Sequence, residues 1–314
     1  MAGKLPPFME VIKSRDVEDP IGLWLHRPLA YGLVAAVHRT PLTPNQVTLL
    51  SMLAGVIAGV LWLIGSPTLM LVGGVLLWSS AFLDAVDGLL ARTKQMHSEL
   101  GRALDGSADM VVAIVTVLAA FYHIWIKHHL WWHLPLMVVA MVTAVAQIYL
   151  YDFYKESYLN SLKPGWDGLT RALVDTTARL DKARAEGASW LARFAWGSYV
   201  GMLTSQDRLR HLTNPLGRRD NVRFTVNEET IRIYRRHNYW PMQLWAMVSL
   251  CPHTYIMSSC AMFDRLDLYL WFRIVVGNAI FALAIIWQRI ATARTLRDFA
   301  GVGAPPVPVG DPGP

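Results

Sequence analysis

Charge is scarce in this chain, and cysteine scarcer still. Only 17% of the 314 residues are Asp, Glu, Lys or Arg, against 54% hydrophobic, whereas a soluble globular domain carries roughly 25% charged residues. That shortfall argues against a water-soluble fold. Two cysteines, Cys251 and Cys260, are too few for a disulfide framework and have no metal-ligand spacing, so ordinary apolar packing is the reading for both. Residues 1–20 hold Lys4, Glu10, Lys13, Asp16, Glu18 and Asp19 and no apolar run. No cleaved signal is expected there, and the first membrane span serves as the insertion signal. The net charge of +6 comes with no recognised nucleic-acid motif, so no nucleic-acid partner is expected.

What the chain does have is apolar blocks about 20 residues long, the length of α-helix that crosses about 30 Å of hydrocarbon. Six transmembrane helices are expected, over residues 46–64, 68–90, 105–126, 130–153, 239–258 and 268–290. Residues 21–39 are amphipathic, carry His26, Arg27, His38 and Arg39, and are interrupted by Pro28. They read as an N-terminal interfacial helix. The fold class is therefore an all-α membrane protein with a cytoplasmic insertion between helices four and five. Its domains are a cytoplasmic N-terminus with the interfacial helix (1–45), helices one to four (46–153), a basic insertion (154–238), helices five and six (239–298) and a disordered Pro/Gly-rich tail (299–314).

The insertion holds fifteen Lys or Arg, which keeps it on the cytoplasmic side and suits it to anionic lipid. Within it, 169–195 reads as one or two amphipathic helices broken at Gly187, and 221–234 alternates well enough for a short strand or hairpin. The Lys/Arg bias places both termini and the second-to-third helix connection in the cytoplasm; in a bacterium the membrane is the inner one. Trp131 and Trp132 read as an interfacial belt, and Arg273, near the outer end of helix six, as a snorkelling anchor.

The informative stretch is Asp84-Ala85-Val86-Asp87-Gly88-Leu89-Leu90-Ala91-Arg92, continued by Gly101, Asp105 and Asp109. Asp84 and Asp87 are i and i+3, and Asp105 and Asp109 are i and i+4, so each pair shares a helix face. A short loop brings the two pairs together on antiparallel neighbours. A carboxylate at a membrane helix centre costs about 2.5–3.5 kcal/mol, and four converging ones repel, so cations are expected among them. Carboxylate oxygens are hard ligands suited to Mg²⁺ or Mn²⁺. Gly88, Ala91 and Gly101 leave room for a ligand or a neighbouring helix.

These residues resemble the CDP-alcohol phosphatidyltransferase family, whose signature D-x2-D-G-x2-A-R-x8-G-x3-D-x3-D is met at all eight fixed positions. The resemblance covers the membrane core and leaves the 154–238 insertion unexplained. It implies two divalent ions, one held by Asp84, Asp87 and Asp105 and a second by Asp84, Asp105 and Asp109, with Asp109 also the general base. Gly88, Arg92 and, in the loop, Ser98 match donor-contacting positions, with Ala91 and Gly101 in the same stretch. Asn45 and Thr48, in Pro44-Asn45-Gln46-Val47-Thr48, are further candidate nucleotide contacts. Asp152, Lys155 and Arg171 could help shape an acceptor pocket.

The implied reaction transfers a substituted phosphate from a CDP-alcohol, CDP-diacylglycerol in the leading version, to a polar alcohol, releasing CMP in phospholipid biosynthesis. The alternative passes a choline- or ethanolamine-type head group from its CDP carrier to diacylglycerol. A cation-coupled transporter built on the same carboxylates is a third reading. Membrane lipids are expected partners, and family resemblance suggests a homodimer.

Overall fold

The computed structural model describes residues 5–12, 15–96, 99–162, 168–216 and 227–302, and all its regular elements are helices. In chain order they are α1 (Phe8–Val11), α2 (Arg27–Val37), α3 (Pro44–Ile64), α4 (Pro67–Thr93), α5 (Glu99–His128), α6 (His133–Ser161), α7 (Gly168–Ala185), α8 (Trp190–Thr213), α9 (Glu228–Ala246), α10 (Leu250–Met262), α11 (Leu266–Phe272) and α12 (Asn278–Gly301). A π-helical turn, Gly22–His26, leads into α2, and another, Arg273–Gly277, joins α11 to α12.

Local chemistry sets the boundaries around the motif. Thr43 caps α3 in a reciprocal box with Gln46, and Pro44 occupies the first turn where its missing N–H is harmless. Gly65 ends α3 at φ +78°, a left-handed conformation that favours glycine. Ser66 then caps α4 and Pro67 starts it, so three consecutive residues close one helix and open the next.

Among the described residues, five helices are long and apolar enough to cross a membrane: Pro44–Ile64, Pro67–Thr93, Leu104–His128, His133–Ser161 and Leu266–Gly301. The chain is a multi-pass membrane protein. Leu53, Val60 and Ile64 of α3 stand exposed, as a lipid-facing stripe would be. The expected span over 239–258 is not one helix. Its α-helical run stops at Ala246, Met247–Ser249 make short i−3 bonds, and α10 restarts at Leu250. Pro252 has no amide to bond back to Val248, so the i−4 ladder cannot run through.

The described residues divide into two units. The first is Met1–Met141 with Leu250–Gly277. In it α3 and α4 form an antiparallel hairpin tied by Ser51 and Ser80, each hydroxyl donating to the other's carbonyl at 2.9 and 2.7 Å. Gly55 and Gly59 of α3 lie against Val112 and Val115 of α5; a methyl added at either would fall 2.5–2.6 Å from a valine Cγ1. Small residues four apart let helix backbones approach in lipid. Gly74 of α4 does the same against Ser258 and Met262 of α10. Ala58, Trp62, Met70, Leu77 and Ala119 share the core between them.

At the end of this unit remote from the motif, Lys127 Nζ donates to Asp264 Oδ2 at 2.5 Å, and His123 Nε2 lies 2.7 Å from Oδ1. Burial alone would raise the Asp264 carboxyl, but the Lys127 and His123 contacts outweigh it and hold the group below 3.8. A depressed folded-state pKa gives stability present above the unfolded value and lost as pH falls through the folded one. Asp264→Asn should therefore cost about 1 kcal/mol at pH 6 and much less near pH 3. Thermal melts of both proteins in detergent check this; an equal difference at the two pH values rules it out.

Arg273 is not a snorkelling anchor. It is only 2% exposed, bonding His253 Nε2 at 2.7 Å and the Ala140 carbonyl at 3.3 Å. The π turn it opens, which Gly277 closes, directs it inward, a departure that hydropathy does not register.

The second unit is Val142–Ser249 with Asn278–Pro314. A buried polar chain crosses it: Trp245 donates to Gln288, Gln288 to Asn238, and Asn238 to Thr295. The insertion forms α7 and α8 on either side of Gly187, at φ +68°. Its second helix is docked, since Arg210 is buried with Asp207 and lies over the Phe153 ring, and Asn214 bonds Thr292. The expected strand over 221–234 is overturned where it can be seen. Asn227 caps α9 with Thr230 in a reciprocal box, and a capped helix satisfies that backbone better than an unpaired strand. Residues 221–226 lie outside the described residues, as do 303–314 of the expected tail.

Candidate active site

The motif aspartates come from the last turns of α4 and the first turns of α5. Asp84, Asp105 and Asp109 each bring one carboxylate oxygen within 4.8 Å of the others, and all three are partly buried. Oxygens on opposite sides of a Mg²⁺ at 2.0–2.1 Å stand about 4.2 Å apart, so this trio fits one hard divalent ion. Gathered charge of one sign at partial burial also favours a cation there.

Asp87 stands apart from the trio. It is 5% exposed, and its Oδ2 accepts from Thr48 Oγ1 at 2.6 Å. The Thr48 hydroxyl also lies 3.2 Å from the Pro44 carbonyl, but it has one proton, and the shorter contact to a carboxylate takes it. Thr48, itself buried, thus links the start of α3 to the motif helix. Asn45 is exposed on the first turn of α3.

Gly88 is one turn after Asp84. A methyl there would meet only the Arg92 Nη atoms, at 3.8 Å, so that face of α4 is open. Ala91 is partly buried beside it, and Gly101 lies in the first turn of α5. Arg92 Nε donates to the Val11 carbonyl of α1, while its Nη2 is buried without a partner among the described residues. Ser98 lies outside the described residues. Lys155 bonds Asp152 at 2.7 Å, so these two of the suggested acceptor residues pair with each other.

Sequence reasoning missed the surroundings of the trio. Residues before α3 wrap the motif helix: Val11, Ile12, Ala30 and Val34 pack with Ala85, Val86, Leu89 and Leu90. Lys94 Nζ ties the end of α4 to the carbonyls of Thr40 and Leu42 at 2.8 and 2.7 Å. Arg27 and Glu18, joined at 2.9 Å, are mostly buried rather than interfacial. The one signal available was a charge-bearing His-Arg-Pro inside an otherwise apolar run.

Comparison with known proteins gives the same direction. Residues 41–168 match the CDP-alcohol phosphatidyltransferase family. Two curated relatives carry the name bifunctional IPC transferase and DIPP synthase. The one from Thermococcus kodakarensis is 29% identical over 119 residues, 37% of this chain and 26% of the relative. The one from Aquifex aeolicus is 31% identical over 116 residues, with the same two coverages. The chain thus spans about a quarter of the length of the curated relatives it matches. The matched residues contain α3, α4, α5 and all four motif aspartates, so the part of the chain that is similar to the CDP-alcohol phosphatidyltransferase family is the part that builds the site.

Proposed function

We propose that the chain is a membrane transferase that moves a substituted phosphate from a CDP-alcohol, CDP-diacylglycerol in the leading form, to a hydroxyl acceptor, releasing CMP. The observation that carries this reading is the gathering of Asp84, Asp105 and Asp109 at the mouth of the α4–α5 pair beside the open face of Gly88. As the family resemblance implies, Asp84, Asp87 and Asp105 would hold one Mg²⁺ or Mn²⁺, and Asp84, Asp105 and Asp109 a second. When bound, two such ions screen a diphosphate and favour departure of the phosphate leaving group.

The chain's own residues have separate tasks. Asp109 takes the proton of the acceptor hydroxyl as its oxygen attacks the β-phosphorus in line. The new bond joins the acceptor oxygen to that phosphorus, the anhydride bond to CMP breaks, and the proton passes from Asp109 to solvent. Held among metal ligands, this carboxylate works by position rather than by high basicity. Thr48 fixes the Asp87 carboxylate from α3, and Arg92 meets donor phosphate over Gly88. Ala91, Gly101, Ser98 and Asn45 are proposed to line the donor side. The site is assigned to the cytoplasmic face by the Lys/Arg bias, and a homodimer is proposed on family resemblance.

A donor screen tests the reading. Purified protein with Mn²⁺ should release CMP from CDP-diacylglycerol, with chelation abolishing release and Mn²⁺ or Mg²⁺ restoring it. Release from CDP-choline with diacylglycerol alone would reverse lipid and head group. No CMP from any CDP-alcohol would remove the proposal.

A further inference from the structure

One basic side chain from outside the matched residues stands on the helix that packs against the motif. Arg27 opens α2, and its Nε donates to Glu18 Oε2 at 2.9 Å. That contact occupies the inner nitrogen only; the two terminal nitrogens bond nothing among the described residues. Ala30 and Val34, three and seven residues further along the same face of α2, pack with Ala85, Val86, Leu89 and Leu90 of α4. Asp84 and Arg92 are eight apart on α4, about 12 Å, with Gly88 midway. Arg27 therefore lies alongside this stretch of α4.

Gly88 is a bare floor, with the carboxylate trio at one end and Arg92, with its buried unused Nη2, at the other. Arg27, on the helix packed against α4, carries a second guanidinium whose terminal donors bond nothing among the described residues. Two neighbouring guanidinium groups repel unless an anion lies between them, and their forked donors match phosphate oxygens.

The backbone around Arg27 is fixed rather than mobile. Asp19 Oδ1 accepts from Gly22 N at 2.7 Å, so closely that a methyl at Gly22 would fall 2.6 Å from Asp19 Oδ2. His26 is 1% exposed, wedged against Trp78, Phe82 and Tyr255, with the Tyr255 hydroxyl 2.9 Å from Nδ1. Burial, and then the Arg27 charge beside it, holds the His26 imidazole below its usual pKa, so His26 adds no cation of its own near neutral pH.

We propose that Arg27 is a donor-binding residue, clasping the diphosphate of the CDP-linked donor together with Arg92 from a helix outside the matched domain. The inference rests on the transferase reading above. The competing account is that Arg27 only anchors the N-terminal segment through Glu18. The two accounts part on which variant changes what.

The test is CMP release by the full-length protein at varied CDP-diacylglycerol, with thermal melts in parallel. Arg27→Ala and Arg27→Gln are expected to raise the donor KM about ten- to a hundredfold, the range for hydrogen bonds to charged groups, and to leave the acceptor KM unchanged. Arg27→Lys should recover part of the loss, as a point charge without the fork does. Glu18→Gln should lower the melting temperature while the donor KM stays near wild type. If Arg27→Ala does not fold, Arg27→Gln and Arg27→Lys carry the comparison. A donor KM unchanged in the folded Arg27 variants, with melting temperature falling as in Glu18→Gln, overturns the inference and leaves the transferase reading standing. A wild-type protein that releases no CMP sinks both.

Discussion

Asp109→Asn should lower CMP release by about a thousandfold while the protein remains folded. A positioned general base contributes roughly 10²–10⁴ in rate. The amide keeps the shape of the side chain, so packing of α5 is preserved, but it can neither accept the proton nor add charge to the trio with Asp84 and Asp105. Release is read as CMP formed per mole of enzyme, and folding as an unchanged elution volume and melt. Asp84→Asn should fall as far, since it removes charge from the same three oxygens. Unchanged release in Asp109→Asn would remove the base assignment, and in Asp84→Asn the cation site with it.

Gly59→Ala should be nearly as damaging although it touches no substrate. Its new methyl would fall 2.6 Å from Val115 Cγ1 and 3.2 Å from the Val115 backbone oxygen. A valine side chain has little freedom to turn away in a helix, and the backbone has none, so α5 must slide or tilt off α3. Overpacking of this kind costs about 1–3 kcal/mol. Asp109 lies six residues before Val115 on the same helix. A shift of about 1 Å in a catalytic group can cost on the order of 10²-fold in rate, so activity should fall further than stability. Gly32→Ala is the control, because nothing lies within 4 Å of its added methyl and the exchange should if anything stabilise α2. Equal activity in the two variants would show that the α3–α5 approach does not place the aspartates.

The four spans before the insertion were legible in the sequence because each is an apolar block of membrane-crossing length, a signal that needs no tertiary information. The aspartate motif was legible because helical periodicity alone puts each pair on one face, and the loop between them is short. Periodicity does not say which oxygens converge. It left Asp87 equal to the others, whereas Thr48, 39 residues earlier, draws it aside. The break after Ala246 was missed since hydropathy averages over Pro252, and Arg273 was misread since a π turn redirects a side chain without changing composition. The Asn227 cap was hidden by an alternation that fits strand and helix equally. Arg27 looked interfacial because burial by a distant part of the chain leaves no mark nearby.

The three-residue joint between α3 and α4 has a consequence for how this protein enters lipid. The Ser51 and Ser80 hydroxyls each donate to the other residue's carbonyl across the hairpin, and Thr48 donates to the Asp87 carboxylate. An unmet polar group in hydrocarbon costs several kcal/mol; these three hydroxyls find their counterparts in the adjoining helix, which favours the two helices entering lipid as a pair. The crowding of negative charge arises only when the following helix delivers Asp105 and Asp109 to Asp84. The polar matching of the first two helices is thus separable from the acidic cluster, which needs a third helix to form.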